Sequence, residues 1–110
     1  MAPLIQAMQA PPKVQIVDPA RKAKATAAST RYRECLERNA EKIDDHVSPP
    51  DQIGALVAPH CFQEATSAEE AILDVDPTPP TMRERVRSIF KGQRLWNATR
   101  TVVRLRGQSK

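Results

Sequence analysis

The side chains best suited to chemistry are two cysteines and two histidines: Cys35, His46, His60 and Cys61. Thiolate and imidazole are good ligands for zinc, so these four residues form a candidate zinc set. Their spacing argues against it, because no pair is two to four residues apart and thus presented by one loop. The adjacent His60 and Cys61 would also leave a helix in different directions. We therefore expect no metal site and no cofactor.

Two catalytic arrangements are conceivable, and we expect neither. Cys61 as a nucleophile with His46 as its base would need a cleft and an oxyanion donor, and a chain with three glycines offers no loop for them. Four carboxylates at helical spacing could act as an acid–base set: Glu34, Glu37, Glu41 and Asp44. A run of this kind is typical of a solvated helix face. The sequence thus predicts no catalytic residue, no enzymatic activity and no small-molecule substrate.

The two cysteines are placed symmetrically about a turn. Cys35 lies thirteen residues before Ser48 and Cys61 lies thirteen after it, so folding the chain back at residues 45–50 brings them to one level of a helical hairpin. A disulfide there would stabilise the fold by about 3 to 4 kcal/mol in the chain-entropy picture. It would indicate an oxidising compartment or an assembled particle. Two buried free thiols are the alternative.

The residues around this pair resemble a pattern found in small, mostly uncharacterised bacterial proteins. Those proteins have two short helices, bracketed by a cysteine pair, around a polar Asp-rich turn. The resemblance rests on Tyr32-Arg33-Glu34-Cys35-Leu36, Asp44-Asp45, Ser48 and the stretch from Ile53 to Cys61. It covers about a third of the chain, and it implies a disulfide-tied helical hairpin without implying an activity.

The elements that would position these residues are helices. Asp18 before Pro19 is a typical helix start, and residues 20–44 contain neither glycine nor proline, which predicts a helix near 19–44. Ser48 is expected to cap a second helix, which Pro59 should kink or interrupt. Capping patterns at Ser67 and Thr81 predict a short helix near 68–75 and a long one near 82–105.

These elements predict an all-α protein built around a disulfide-tied antiparallel hairpin. The first seventeen residues mix proline, glutamine and small apolar side chains, which indicates an extended or disordered arm. The predicted division of the chain is an arm over 1–17, a hairpin domain with a short third helix over 18–76, a Pro-rich connector over 77–81 and a basic amphipathic helix over 82–110.

Charge is sorted along the chain into three blocks. Residues 1–33 carry six Lys or Arg against Asp18, residues 34–81 carry two against eleven acids, and residues 82–110 carry nine against Glu84. Crowded like charges raise the free energy of a chain unless something neutralises them. The acidic middle and the basic end must therefore fold onto each other or face outside partners.

The basic C-terminal helix is the best candidate for function. Six of its apolar residues fall on one arc and are the predicted partner-binding set: Met82, Val86, Ile89, Phe90, Trp96 and Val103. Leu95, Val102 and Leu105 lie outside this arc, which predicts that the later half of the helix contacts two surfaces. Six cations are the predicted basic contacts: Arg83, Arg87, Lys91, Arg94, Arg100 and Arg104. The arc could pack on the hairpin, or it could dock into a larger protein assembly; the cations could also contact nucleic acid or an anionic membrane surface.

The function that this pattern favours is that of a small structural or accessory subunit. We expect its arm and its basic helix to attach it to a larger protein complex. The alternative is an accessory protein that binds nucleic acid through phosphate contacts. The N-terminal residues have no basic start and are interrupted by Pro3, Gln6 and Gln9, so we expect neither a signal peptide nor a membrane span.

Overall fold

The chain folds as a bundle of three antiparallel legs, seen in a computed structural model that describes residues 18–75 and 78–108. The first leg is one helix, the second is two helices joined by a 3₁₀ turn, and the third is one long helix. In order they are α1, Pro19–Ile43; α2, Pro50–Val57; the 3₁₀ turn, Ala58–Cys61; α3, Phe62–Val75; and α4, Pro80–Gln108. The predicted all-α fold is confirmed. The predicted arm over residues 1–17 lies outside the described residues.

Helix α1 begins where the sequence predicts. The carboxylate of Asp18 accepts a hydrogen bond from the amide of Ala20 at 3.0 Å, and Pro19 occupies the first turn, where it needs no partner for a missing N–H. The buried residues of α1 share one side: Ala28, Cys35, Leu36 and Ala40. This side faces both other legs, so α1 supports the whole bundle.

The turn between α1 and α2 is organised by its aspartates. Asp45 accepts hydrogen bonds from the amides of Val47 and Ser48 and from the Ser48 hydroxyl, and these bonds lower the pKa of Asp45 to about 2. The prediction that Ser48 caps α2 is wrong, because its hydroxyl is bound to Asp45. Pro49 precedes α2 instead and makes no side-chain capping bond.

The break predicted at Pro59 is present as the 3₁₀ turn that separates α2 from α3. The prediction that α3 starts near residue 68 is wrong, since it starts at Phe62. Phe62 already has helical backbone angles as the chain leaves the 3₁₀ turn, and residues 62–75 contain no glycine or proline to delay the helix. Ser67 therefore lies inside α3 and does not cap it.

Helix α4 extends beyond the predicted span of 82–105 at both ends. The Pro79 carbonyl accepts the amides of Met82 and Arg83 at 2.8 and 3.1 Å, so the helix begins at Pro80, and Thr81 does not cap it. Proline suits the first position because its fixed backbone angle is already helical. The last two residues of the predicted connector, 80 and 81, thus belong to α4.

The bundle has two apolar clusters. At the end near the α1–α2 turn, the buried residues are Cys35, Leu36, Ala40, Ile53, Val57, Cys61, Ala98 and Val102. Here α2 and α4 approach closely: a Cβ added at Gly54 would lie only 2.9 Å from the amide nitrogen of Thr99. At the other end Ala28 packs on Ala68 and Ala71, so α1 and α3 meet through small side chains.

Candidate docking surface

The inward side of α4 is formed by small side chains. Ala98, Thr101 and Val102 are its buried residues, and Leu105 packs partly against the same cluster. None of these belongs to the predicted apolar arc. The close approach at Gly54 accounts for this, because only small side chains fit between two helices at that separation.

The opposite side of α4 carries four large apolar residues at intervals of seven: Met82, Ile89, Trp96 and Val103. Between 48% and 56% of each residue's surface is exposed. At 100° per residue they lie roughly opposite the buried Ala98, so the other helices of the bundle do not cover them. We call these four residues the outward stripe.

The other two members of the predicted partner-binding set lie elsewhere. Val86 is half-buried, and Phe90 lines a groove of about 460 Å³ between α1, α3 and α4. Tyr32 lies in the same groove, where its hydroxyl accepts a hydrogen bond from the Asn97 amide at 3.5 Å and burial raises its pKa. The structure thus separates the predicted arc into four exposed residues, the half-buried Val86, and Phe90 at the groove.

The basic flank of α4 binds the acidic flank of α3 in antiparallel order. Arg83 contacts Asp74 at 3.2 Å, and Arg87 contacts Glu70 at 2.9 Å. Arg94 donates two hydrogen bonds to Glu69, at 2.6 and 2.8 Å, and these bonds raise the pKa of Arg94. The Arg83 and Arg87 pairs are partly exposed, and such pairs contribute roughly 0–1 kcal/mol each, whereas the Arg94–Glu69 pair is mostly buried. The ladder thus orients α4 on α3.

A further arginine fixes the far end of α4 to the hairpin turn. Arg106 binds both oxygens of Asp44 at 3.0 and 2.6 Å and donates to the Ser48 carbonyl at 2.7 Å. The hydrogen bonds from Arg106 are the main reason that the pKa of Asp44 falls to about 2. Arg106 is not among the predicted basic contacts, and only its place in the basic block indicated a carboxylate partner.

Three of the six predicted basic contacts bind the rest of the bundle weakly or make no ion pair with it. Arg104 lies 3.5 Å from Glu37, and the guanidinium of Arg100 stacks on the Trp96 ring at 4.5 Å. Lys91 is exposed, as is Arg85, which lies beside the outward stripe and is not among the predicted basic contacts. In the described part of the chain, neither Lys91 nor Arg85 makes an ion pair.

The candidate catalytic and zinc residues do not form a site. Cys35 and Cys61 are joined in a buried disulfide, as predicted, and Asn39 donates to the Cys35 carbonyl beside it at 2.8 Å. Glu34 and Glu41 are exposed, whereas Glu37 and Asp44 bind arginines. Within 18–75 and 78–108, no three His, Cys, Asp or Glu side chains come together as a metal site.

Comparisons with protein-family models, with curated proteins and with solved structures find no match for this chain. Among the helices that the structure describes, none is both long enough and apolar enough to cross a membrane.

Proposed function

We propose that this chain is a non-enzymatic accessory subunit that docks into a larger protein assembly through the outward stripe of α4. The observation that carries the proposal is the placement of Met82, Ile89, Trp96 and Val103 at seven-residue intervals on the side opposite the core. Single exposed apolar residues are ordinary, but four of them aligned along one face of a helix are typical of an interaction surface.

The composition of the stripe supports protein docking. Trp96 is its largest side chain, and Arg100 covers one face of the ring. Tryptophan and arginine are the residue types most often found at the energetic centre of protein interfaces. The stacked pair stands on a helix held at both ends, by Arg83 and Arg106, so little ordering is left for the moment of binding.

The charge pattern also favours a protein partner over nucleic acid. Arg83, Arg87 and Arg94 bind carboxylates of α3, and those carboxylates would repel a phosphate backbone brought to the same flank. The arm over residues 1–17 is proposed as a second attachment from its sequence alone.

The double substitution Ile89→Ser and Trp96→Ser tests this proposal. Both side chains are about half exposed and outside the apolar clusters, so the free energy of unfolding should change by no more than about 0.5 kcal/mol per site. Association with the native partner should be lost, because the apolar area that these residues bury lies in the interface. Circular dichroism measures stability, and affinity purification from the source cells measures association.

Leu95→Ser is the matched control, because Leu95 is as exposed as the stripe but lies off it. This variant should keep both its stability and its partner. The proposal is wrong if the double variant unfolds, or if it retains the partner that the wild type captures. Size-exclusion chromatography with added duplex or single-stranded nucleic acid at low and high salt distinguishes the phosphate-binding alternative.

A further inference from the structure

We infer that the segment covering the outward stripe is an acidic amphipathic helix of the partner protein. This inference rests on the proposed function and names the chemistry of its partner. It is carried by the seven-residue spacing of the stripe, by the cations Arg85 and Arg100 beside it, and by the absence of acids on the same face of the described α4.

The spacing of the stripe indicates a helical partner. On a straight helix, residues seven apart drift by about 20° per step, and a second helix can follow that drift by winding around the first with a left-handed crossing. From Met82 to Val103 the stripe spans twenty-two residues, or about 32 Å at 1.5 Å per residue. A partner helix of about six turns would cover it.

The charges beside the stripe indicate that this helix is acidic. Arg85 and Arg100 are fifteen residues apart, both exposed, and neither contacts a carboxylate among the described residues. Glu84 is the only acid of α4, and it binds Arg87 on the side that faces α3. Carboxylates on the partner, about four turns apart, would therefore meet cations that lack a carboxylate partner towards both ends of the stripe.

The same charges argue against a second copy of this chain. In an antiparallel pair that matches Met82 with Val103 and Ile89 with Trp96, each Arg85 falls opposite the other copy's Arg100. A parallel pair in register would place every arginine against itself. Like charges directly opposed across an interface disfavour that pairing, so self-association brings the repulsion that an acidic helix removes.

Two synthetic helices of twenty-eight residues test the inference. Both carry leucine at the heptad positions facing the stripe, and they differ only in having glutamate or lysine at the flanking positions. The fluorescein-labelled glutamate helix should bind the wild-type protein, measured by anisotropy, and the lysine helix should bind at least tenfold more weakly. Arg85→Gln with Arg100→Gln should weaken binding of the glutamate helix roughly tenfold, and raising the salt concentration should reduce the difference between this variant and the wild type.

The controls separate this inference from the proposed function. Ile89→Ser with Trp96→Ser should abolish binding of the glutamate helix, whereas Leu95→Ser should leave it unchanged. Equal binding of the two helices would overturn the inference. So would binding of the protein to phosphatidylserine vesicles but not to the glutamate helix, or a wild-type dimer in light scattering that does not bind the glutamate helix. If one of these occurs while the double variant still loses its native partner, docking stands and the acidic helix does not.

Discussion

Reducing the bond between Cys35 and Cys61 should lower the free energy of unfolding by about 3 to 4 kcal/mol. The bond links α1 to the end of the 3₁₀ turn across twenty-six residues, and closing a loop of that length removes conformational entropy from the unfolded chain. The loss is large for a protein whose buried side chains are mostly alanine, valine and cysteine. Denaturant unfolding with and without reductant measures it.

The bond itself can be checked before stability is measured. The intact mass of the unreduced protein should be two hydrogen atoms below that of the reduced protein, and thiol titration in denaturant without reductant should find no free thiol. Cys35→Ala with Cys61→Ala should match the reduced wild type in stability to within about 1 kcal/mol, since it also removes the cross-link. Two titratable thiols in the unreduced protein would contradict the structure.

Gly54→Ala should destabilise the protein by about 1 to 3 kcal/mol, although alanine favours helices. The added Cβ would lie 2.9 Å from the amide nitrogen and 3.0 Å from the Cα of Thr99, and backbone atoms cannot move aside without separating α2 from α4. Separation would also loosen the buried contacts of Val57 and Ala98. Thermal and denaturant unfolding of the purified variant measures the change.

Gly92→Ala provides the matched control on the other helix. Apart from its chain neighbours and the backbone of its own helix, nothing lies within 4 Å of a Cβ added at Gly92. The substitution should therefore stabilise α4 by roughly 0.5 to 1 kcal/mol through lower backbone entropy in the unfolded chain. Equal stability of the Gly54→Ala protein and the wild type would show that α2 and α4 are further apart than the structure places them.

Local signals predicted most of the helical architecture. Proline marks the start of α1, α2 and α4 and the break at Ala58–Cys61, because its ring fixes one backbone angle and removes a donor. The symmetric cysteines predicted the bond that joins the first two legs. Capping patterns were less reliable, since the Ser48 hydroxyl donates its hydrogen bond to Asp45 and Ser67 lies within a helix that begins earlier.

The packing of the legs could not be predicted, because it depends on small residues. The alanines at 28, 68 and 71 have no strong periodic signal, and the first half of α1 therefore carried no prediction of a packed face. The predicted arc of α4 consists of apolar residues that are not buried, whereas Ala98, Thr101 and Val102 are the buried residues. Which face turns inward is decided by the approach of α2 at Gly54, a tertiary feature.

The candidate site was therefore only partly visible in the sequence. The periodicity indicated Met82, Ile89, Trp96 and Val103 together with Val86 and Phe90, and only the structure separates the two groups by exposure. The charge blocks indicated that acids and bases would meet within the chain or outside it. Their pairing followed from the antiparallel order of α3 and α4, which no local signal determines.

Site-specific photo-crosslinking in the source cells tests the docking proposal most directly. A benzoylphenylalanine residue at position 89 lies on the outward stripe, and the same residue at position 62 replaces an equally exposed phenylalanine on α3. The proposal predicts a discrete protein adduct at position 89 that is absent at position 62, and that disappears when Trp96→Ser is added. An identical adduct from both positions, or an adduct at position 62 alone, would contradict it.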